Sequence, residues 1–436
     1  MHSDDTIFAT ASGHGRAAVC IIRVSGPKSR TVLETLAGSV PEPRHAAVRI
    51  LREPASGEPL DQALVLWMPA PRCFTGEDQA ELHIHGGLAT RAAVLKALAA
   101  IQGCRPAEAG EFTRRAFLNG RMDLSQVEGL ADVIDAETEA QRRQAMLQLE
   151  GRLGNAAETW REGILQALAL LEASLDFSDE GDVPEDLEAD ILRRLNRLQE
   201  EIGRVLSNRS GERLREGFTV VLAGPPNAGK STLLNALARR DVAIVSPIAG
   251  TTRDVIEVHC DLGGLPVVIV DTAGLRESAD LIEQEGVSRA RARAQDADLV
   301  LWLVPPEGAP TEAPPARRLL RVATKADLNR SRHDCDLLVS ASTGEGLSDL
   351  ITALELEAET ALGQGDAILT RERHRKALER AHQSLAAGRE LLETRGPLEL
   401  AAEEVRLAAR AVGEITGRVD VEDVLDRLFS SFCIGK

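Results

Sequence analysis

The sequence predicts a multidomain protein of mixed α/β and α class. An N-terminal α+β domain is followed by a helical domain built from two chain segments, with an α/β domain inserted between them. Three observations carry this reading: strand-like runs with glycine turns near the start, heptad-like apolar spacing in two separate stretches, and a middle section alternating short Val- and Leu-rich runs with helical segments. A chain of 436 residues, at about 150 residues per domain, is expected to hold two to four domains. The boundaries fall at 1–120, 121–213, 214–365 and 366–436.

Residues 5 to 24 read as strand, glycine turn and strand (DTIFATA, SGHGR, AAVCIIRVSG), and a further apolar run, ALVLWMPAP, follows at 63–71. Between Thr138 and Leu206, Met146, Leu149, Leu153, Trp160, Ile164, Leu168, Leu171 and Leu175 recur three, four or seven residues apart, which predicts long amphipathic helices. The pattern returns from His374 to Phe429. In the middle, FTVVLAG, LPVVIVD, ADLVLWLV, LLRVAT and DLLVS are continuous apolar runs, the signature of parallel strands buried on both faces. The acidic stretch at 176–190 and the proline-rich one at 305–316 read as solvated loops.

Composition excludes several classes. With 43% apolar and 27% charged residues the chain is neither disordered nor a membrane protein, and no apolar run reaches the ~20 residues that span a bilayer. The first residues carry acids where a secretory signal has bases, so a cytoplasmic protein is expected. Six cysteines stand singly, without a CxxC pair, which predicts free thiols and no zinc site. A net charge of −17 argues against a protein that coats nucleic acid through a global positive field; if a nucleic acid is the substrate, a local patch or a partner must supply the grip.

The chemistry is concentrated in the middle section. GPPNAGKST, Gly224 to Thr232, follows a strand, opens a helix and satisfies GxxxxGK[ST], so this is a Ras-like P-loop domain. Its backbone amides and helix N-terminus suit phosphate; Asn227, Ala228, Gly229, Lys230, Ser231 and Thr232 are placed on the nucleotide, with Lys230 on the β and γ phosphates and Ser231 on magnesium. In AGTTRD, at 249–254, Thr251 or Thr252 can cap the γ-phosphate and complete the magnesium shell. DTAG supplies Asp271, Thr272, Ala273 and Gly274, with Asp271 reaching magnesium through water. TKAD supplies Thr324, Lys325, Ala326 and Asp327; the Asp327 carboxylate can accept the ring N–H and exocyclic amine of guanine, a donor pair that adenine lacks. Ser340, Ala341 and Ser342 fit the loop that presents amides to the guanine carbonyl. Together these elements predict a GTPase.

Two positions depart from the common pattern. Thr324 stands where Asn is usual and offers only a hydroxyl, which predicts weaker nucleotide binding with guanine choice kept by Asp327. Leu275 stands where Ras-like GTPases carry a water-orienting glutamine, so an acid farther on in LRESADLIEQEG is expected to act instead.

From end to end the chain resembles the tRNA-modification GTPases of the MnmE, or TrmE, family. The resemblance rests on DTIFATA, FTGEDQAELHIHGG at 74–87, GEFTRRAFLNGRMDL at 110–124, AGTTRD and the closing FCIGK. It implies a cytoplasmic homodimer that, in a heterotetramer with an FAD-dependent MnmG or GidA-type partner, installs a carboxymethylaminomethyl or aminomethyl group at C5 of the tRNA wobble uridine. It also implies that the N-terminal domain dimerises and binds 5-formyl-tetrahydrofolate through Arg23, Glu81, Arg121 and Lys436, although the family generally has Lys at the Arg121 position.

The family further uses potassium in GTP hydrolysis. The resemblance places Asn227, Ser246, Ile248 and Thr251 on potassium, Thr252 beside Ser231 on magnesium, and Ser246, Pro247, Ile248, Ala249, Gly250, Thr251 and Thr252 around the nucleotide. Glu283 falls at the water-orienting glutamate, the role Leu275 cannot fill. Cys433 is a possible neighbour of the folate, weighed against a packed core thiol. His83 and His85 alternate on one strand without a third metal ligand, which favours a structural or substrate-contact role; Arg114 and Arg115 suit either RNA phosphate or internal salt bridges. The rival reading is a regulatory GTPase without modification chemistry.

Overall fold

Strands β1 (Thr6–Thr10), buried over most of its length, and β2 (Ala17–Ser25), which alternates from Cys20 onward, form the antiparallel pair that the opening sequence predicts. The computed structural model describes residues 5–13, 15–176, 185–240, 242–244, 256–271, 295–307, 313–329, 334–363, 367–419, 422–432 and 434–435. Two compact units emerge, Met1–Ala131 with Gly413–Lys436, and Asp132–Val412.

In the first unit, β3 (Ala47–Arg52), β4 (Pro59–Met68), β5 (Gln79–Gly86) and β6 (Cys104–Pro106) complete a six-stranded sheet of order β3-β4-β5-β2-β1-β6. Helices α1 (Ser29–Ala37) and α2 (Leu88–Ala99) cover one face, where Cys20, Ile22, Val24, Val65, Leu82 and Ile84 form the core with Leu33, Leu36 and Leu98. The other face is covered only in part: Phe112, on α3 (Glu111–Leu118), packs with Ile7, Ala9 and Phe74. Farther along that face Val19, Val48, Ile50 and Leu64 are exposed. The end of the chain folds back here. Gly435, at φ +106°, lies so close to Thr10 that a Cβ would stand 2.1 Å from its carbonyl oxygen.

A partly buried ion network ties α3 to the sheet. Glu111 accepts from Arg105 at 2.6 and 2.9 Å, from Arg115 at 3.1 Å and from the Glu108 N–H at 2.9 Å. Arg115 also donates to the Asp5 carbonyl and to Glu77, so of the two open readings of this arginine the internal salt bridge is the one observed.

Helix α4 (Leu124–Asp135) leads into the second unit, where the heptad-like stretches form α5 (Glu139–Leu149), α6 (Arg152–Asp176) and α7 (Glu185–Leu206), joined by α11 (Glu372–Glu393). The short α8 (Ser210–Glu216) leads into a second six-stranded sheet: β7 (Phe218–Ala223), β8 (Ile256–Leu262), β9 (Leu265–Asp271), β10 (Leu299–Val304), β11 (Leu319–Ala323) and β12 (Leu337–Leu338). Its order is β12-β11-β10-β7-β9-β8. Every residue of β10, LVLWLV, is buried, as a central parallel strand requires. Helices α9 (Lys230–Ala238) and α10 (Leu347–Leu362) bury Leu233, Leu237, Leu350 and Leu354 in the same core.

The sheet differs from the expected all-parallel one at its edge. β8 runs antiparallel to β9 through a turn whose Gly263 and Gly264 both have positive φ (+60° and +85°), the backbone that a tight two-residue hairpin needs. The hairpin tip docks on the helical part, with Ala140 N–H donating to the Gly264 carbonyl at 3.1 Å and His259 Nδ1 lying 2.8 Å from Glu137. Thr138 caps α5 there through a reciprocal bond with Gln141.

Glu111 yields a test of the first unit. Burial pushes its carboxyl pKa up, but the Arg105, Glu108 and Arg115 hydrogen bonds outweigh that and hold it below the usual range. A carboxyl depressed in the folded state contributes stability that is complete above its unfolded pKa and is lost as pH falls through the folded one. Glu111→Gln should therefore destabilise this unit by about 2 kcal/mol at neutral pH, since it weakens the charge-assisted bonds of two arginines that keep other partners. Urea unfolding should show the wild-type advantage shrinking as pH drops below the carboxylate range; a pH-independent gap would refute the assignment.

Candidate guanine nucleotide and folate sites

The phosphate loop takes its course from backbone conformation and from a few side-chain bonds to its carbonyls. Gly224, at φ +155°, passes β10 so closely that a Cβ would meet the Leu303 carbonyl oxygen at 2.7 Å. Asn227 and Gly229 both take positive φ (+61° and +94°) on either side of Ala228, an alternation that turns successive N–H groups toward one concavity. A Cβ added at Gly229 would meet nothing within 4 Å, so the loop is open on that side. Lys230 begins α9 and donates to the Gly224 and Pro225 carbonyls at 2.9 and 3.0 Å, which folds the ammonium over the loop. Burial lowers its pKa from the ordinary lysine value, and the Asp271 carboxylate works against that.

Ser231 Oγ donates to Asp271 Oδ2 at 2.7 Å, joining the start of α9 to the end of β9. Asp271 is almost wholly buried. A hydroxyl and a carboxylate brought together beside a phosphate loop are the hard oxygen donors that magnesium takes.

The base loops meet in the same way. Ser340 Oγ donates to Asp327 Oδ1 at 2.6 Å, and this bond holds the Asp327 carboxyl below its usual range, so it stays ionised and accepting. Ser342 Oγ lies 2.9 Å from Ser340 Oγ, and Ala326 N–H donates to the Val339 carbonyl at 3.1 Å. Thr324 is buried, its hydroxyl directed at the Ala228 carbonyl 2.8 Å away. The structure thus brings together Ala228, Gly229, Lys230, Ser231, Asp271, Thr324, Asp327 and Ser340. Ser246, Pro247, Ile248, Ala249, Gly250, Thr251, Thr252, Thr272, Ala273, Gly274 and Glu283 lie outside the described residues.

In the first unit Arg23 and Glu81 stand opposite each other on β2 and β5, with Nε and Oε1 3.3 Å apart. The Arg23 guanidinium lies 5.2 Å from the Phe74 ring centroid and 5.9 Å from that of Phe112. His83 Nε2 is 3.1 Å from Glu81 Oε2, and His85 pairs with Asp61; among the described residues no group of His, Cys, Asp and Glu is arranged for a metal. Arg121 lies along the same loop as Phe74: a Cβ at Gly76 would stand 3.2 Å from its side chain. Three of the four expected folate contacts therefore border the Phe74 loop or the strands beneath it. Lys436 and Cys433 lie outside the described residues. A carboxylate for a paired N–H and amine, guanidinium groups for an acid and an aromatic ring for a flat heterocycle suit a folate.

Comparison with known proteins adds independent findings. A family model described as the GTP-binding protein TrmE N-terminus matches residues 6–121, and one described as the MnmE helical domain matches residues 124–433. The tRNA modification GTPase MnmE of a Methylobacterium species is 61% identical over 99% of this chain and 100% of its own length. Those of Methylorubrum populi and Azorhizobium caulinodans are 60% and 53% identical, covering 99% and 100% of this chain and 98% and 99% of their own. Of solved structures, the G domain of the T. maritima FeoB iron transporter is similar at 23% identity and a TM-score of 0.24, over 32% of this chain and 98% of that one.

The base site makes a prediction. Asp327→Asn should weaken GTP binding at least tenfold, because an amide presents one donor to another where the carboxylate accepted two. Equilibrium titration with a fluorescent guanine nucleotide measures this; equal affinity of the unmutated protein for GTP and ATP would sink the guanine assignment.

Proposed function

The chain belongs to the MnmE, or TrmE, family of tRNA modification GTPases, and on that premise we propose that it hydrolyses GTP to drive modification of the tRNA wobble uridine. The observation that carries the GTPase part is the meeting of Ser231 and Asp271 beside an open phosphate loop, with Asp327 held ionised by Ser340. Guanine choice follows from Asp327, phosphate binding from the loop amides and Lys230, and magnesium is held by Ser231 with Thr252. Magnesium, when bound, neutralises charge on the phosphate oxygens. Asn227 with Ser246, Ile248 and Thr251 takes potassium, which adds a second positive charge without an arginine finger. Glu283 orients the attacking water.

The N-terminal site takes 5-formyl-tetrahydrofolate through Arg23, Glu81, Arg121 and Lys436, supplying a one-carbon unit. The product is a carboxymethylaminomethyl or aminomethyl group at C5, made with an FAD-dependent MnmG-type partner. Homodimerisation through the first unit is supported by its half-covered sheet, whose exposed Val48, Ile50 and Leu64 share a face with Arg23 and Glu81. Among the described residues no helix is long and apolar enough to cross a membrane; the proposed compartment is the cytoplasm.

Mass spectrometry of wobble uridines in tRNA from a strain lacking this protein tests the reading, with unmodified wobble positions as the expected result. In that strain Glu283→Ala should fail to restore modification. The purified variant should bind GTP normally and cleave it about 100 to 10,000 times more slowly in single turnover. A rate within about threefold of wild type removes Glu283 from the mechanism.

The potassium site has its own test. Because residue 227 sits at φ +61°, Asn227→Gly removes the amide without straining the loop. It should abolish potassium stimulation of hydrolysis while GTP binding survives. If the unmutated protein turns over equally in sodium and potassium, the ion plays no part.

A further inference from the structure

A hydroxyl has one hydrogen to donate, and the one on Thr324 is directed into the protein. Its Oγ stands 2.8 Å from the Ala228 carbonyl oxygen and 3.4 Å from that of Val304, and the side chain is buried. No donor is left over for a base. The nearer partner lies 96 positions away in sequence, in the phosphate loop itself.

The peptide plane turns this bond into a statement about phosphate. In a trans peptide the C=O and the following N–H point in opposite directions. Holding the Ala228 carbonyl toward Thr324 therefore turns the Gly229 N–H away from Thr324. Asn227 and Gly229 sit at positive φ on either side; Lys230 holds the Gly224 and Pro225 carbonyls of this turn, and Thr324 holds that of Ala228.

We propose that Thr324 is a positioning residue for the phosphates: it sets the Gly229 amide of the phosphate loop and makes no donor contact to the base. This inference rests on the guanine nucleotide reading above and assigns the departure from the usual Asn a task, a strut between the base loop and the phosphate loop. The expected affinity loss from replacing Asn then concerns the base contact alone.

Thr324→Val keeps the shape and removes the hydroxyl, and Thr324→Ser keeps the hydroxyl. The Val variant should bind GDP about tenfold more weakly, as expected when a buried carbonyl loses its donor, while the Ser variant stays within about threefold of wild type. The penalty should be the same for GDP, for 7-deaza-GDP, which lacks the N7 acceptor, and for the diphosphate of 2-aminopurine riboside, which lacks O6 together with the N1–H that Asp327 accepts and so binds more weakly at the outset. A Val variant with wild-type affinity, a Ser variant as weak as Val, or a penalty that vanishes with either analogue overturns the proposal. IDP, which lacks the exocyclic amine, separates the two levels: if the unmutated protein binds IDP as tightly as GDP, it is the guanine reading that fails.

Discussion

The pairing of β7 between β9 and β10 is the constraint on which the nucleotide site depends. These three strands run parallel, so their carboxyl ends open at one edge of the sheet. The phosphate loop leaves β7, Asp271 ends β9, and the Thr324 to Asp327 loop leaves β11 at that same edge. Strand order reverses here, since the chain goes from β7 to β9 on one side and to β10 on the other, and the crevice at such a switch point is where ligands lodge in α/β sheets. Burial of β10 over its whole length holds the register, because a slip would drive apolar side chains into water. The 2.7 Å bond between Ser231 and Asp271 exists because that register is kept.

The β8–β9 hairpin links this edge to the helical part of the same unit. β8 starts four positions after Thr252 and β9 ends one position before Thr272, so the hairpin is the covalent connection between two of the nucleotide loops. Its far end is held by the Ala140–Gly264 hydrogen bond and the His259–Glu137 pair, and behind it lies a cavity of about 220 Å³ bordered by Asp135, Gln141, Arg215 and Val267. Arg215 and Arg371 both grip Asp132, at 3.0 and 2.7 Å, on the helical side of this seam. The contact is polar and incompletely filled, unlike the sheet core, so its cohesion comes from a few directed bonds rather than from apolar area.

What could be read from the sequence was what backbone rules and local spacing determine. The phosphate loop, the parallel strands and the long helices all have periodic or short-range signatures, and they stand where the spacing puts them. β8 went unread although Ile256, Val258, Cys260 and Leu262 alternate with Glu257, His259 and Asp261, an edge-strand pattern that continuous apolar runs nearby overshadow. The two struts, Ser340 to Asp327 and Thr324 to Ala228, had no local signal: each joins loops from different strands, and only the folded sheet makes them neighbours. Arg115 illustrates the same limit, since its partners Asp5 and Glu77 lie 110 and 38 positions away.

A chain of net charge −17 binds phosphate against its own field, which decides how the site must work. Long-range steering of a nucleotide is unfavourable, and screening at physiological salt confines that repulsion to roughly 8 Å. Attraction must therefore act at contact. The amides flanking Ala228, the start of α9 and Lys230 are all short-range donors, and Lys230 is buried enough for its pKa to fall. Two of the three Lys230 ammonium hydrogens go to the Gly224 and Pro225 carbonyls, so an arriving phosphate meets an ammonium that is already partly hydrogen-bonded rather than a bare charge. The net gain per contact is then modest, and orientation of the amides before binding becomes the larger share of affinity. That is why the direction of a single peptide plane, held by one threonine hydroxyl, matters in a protein whose overall charge repels its ligand.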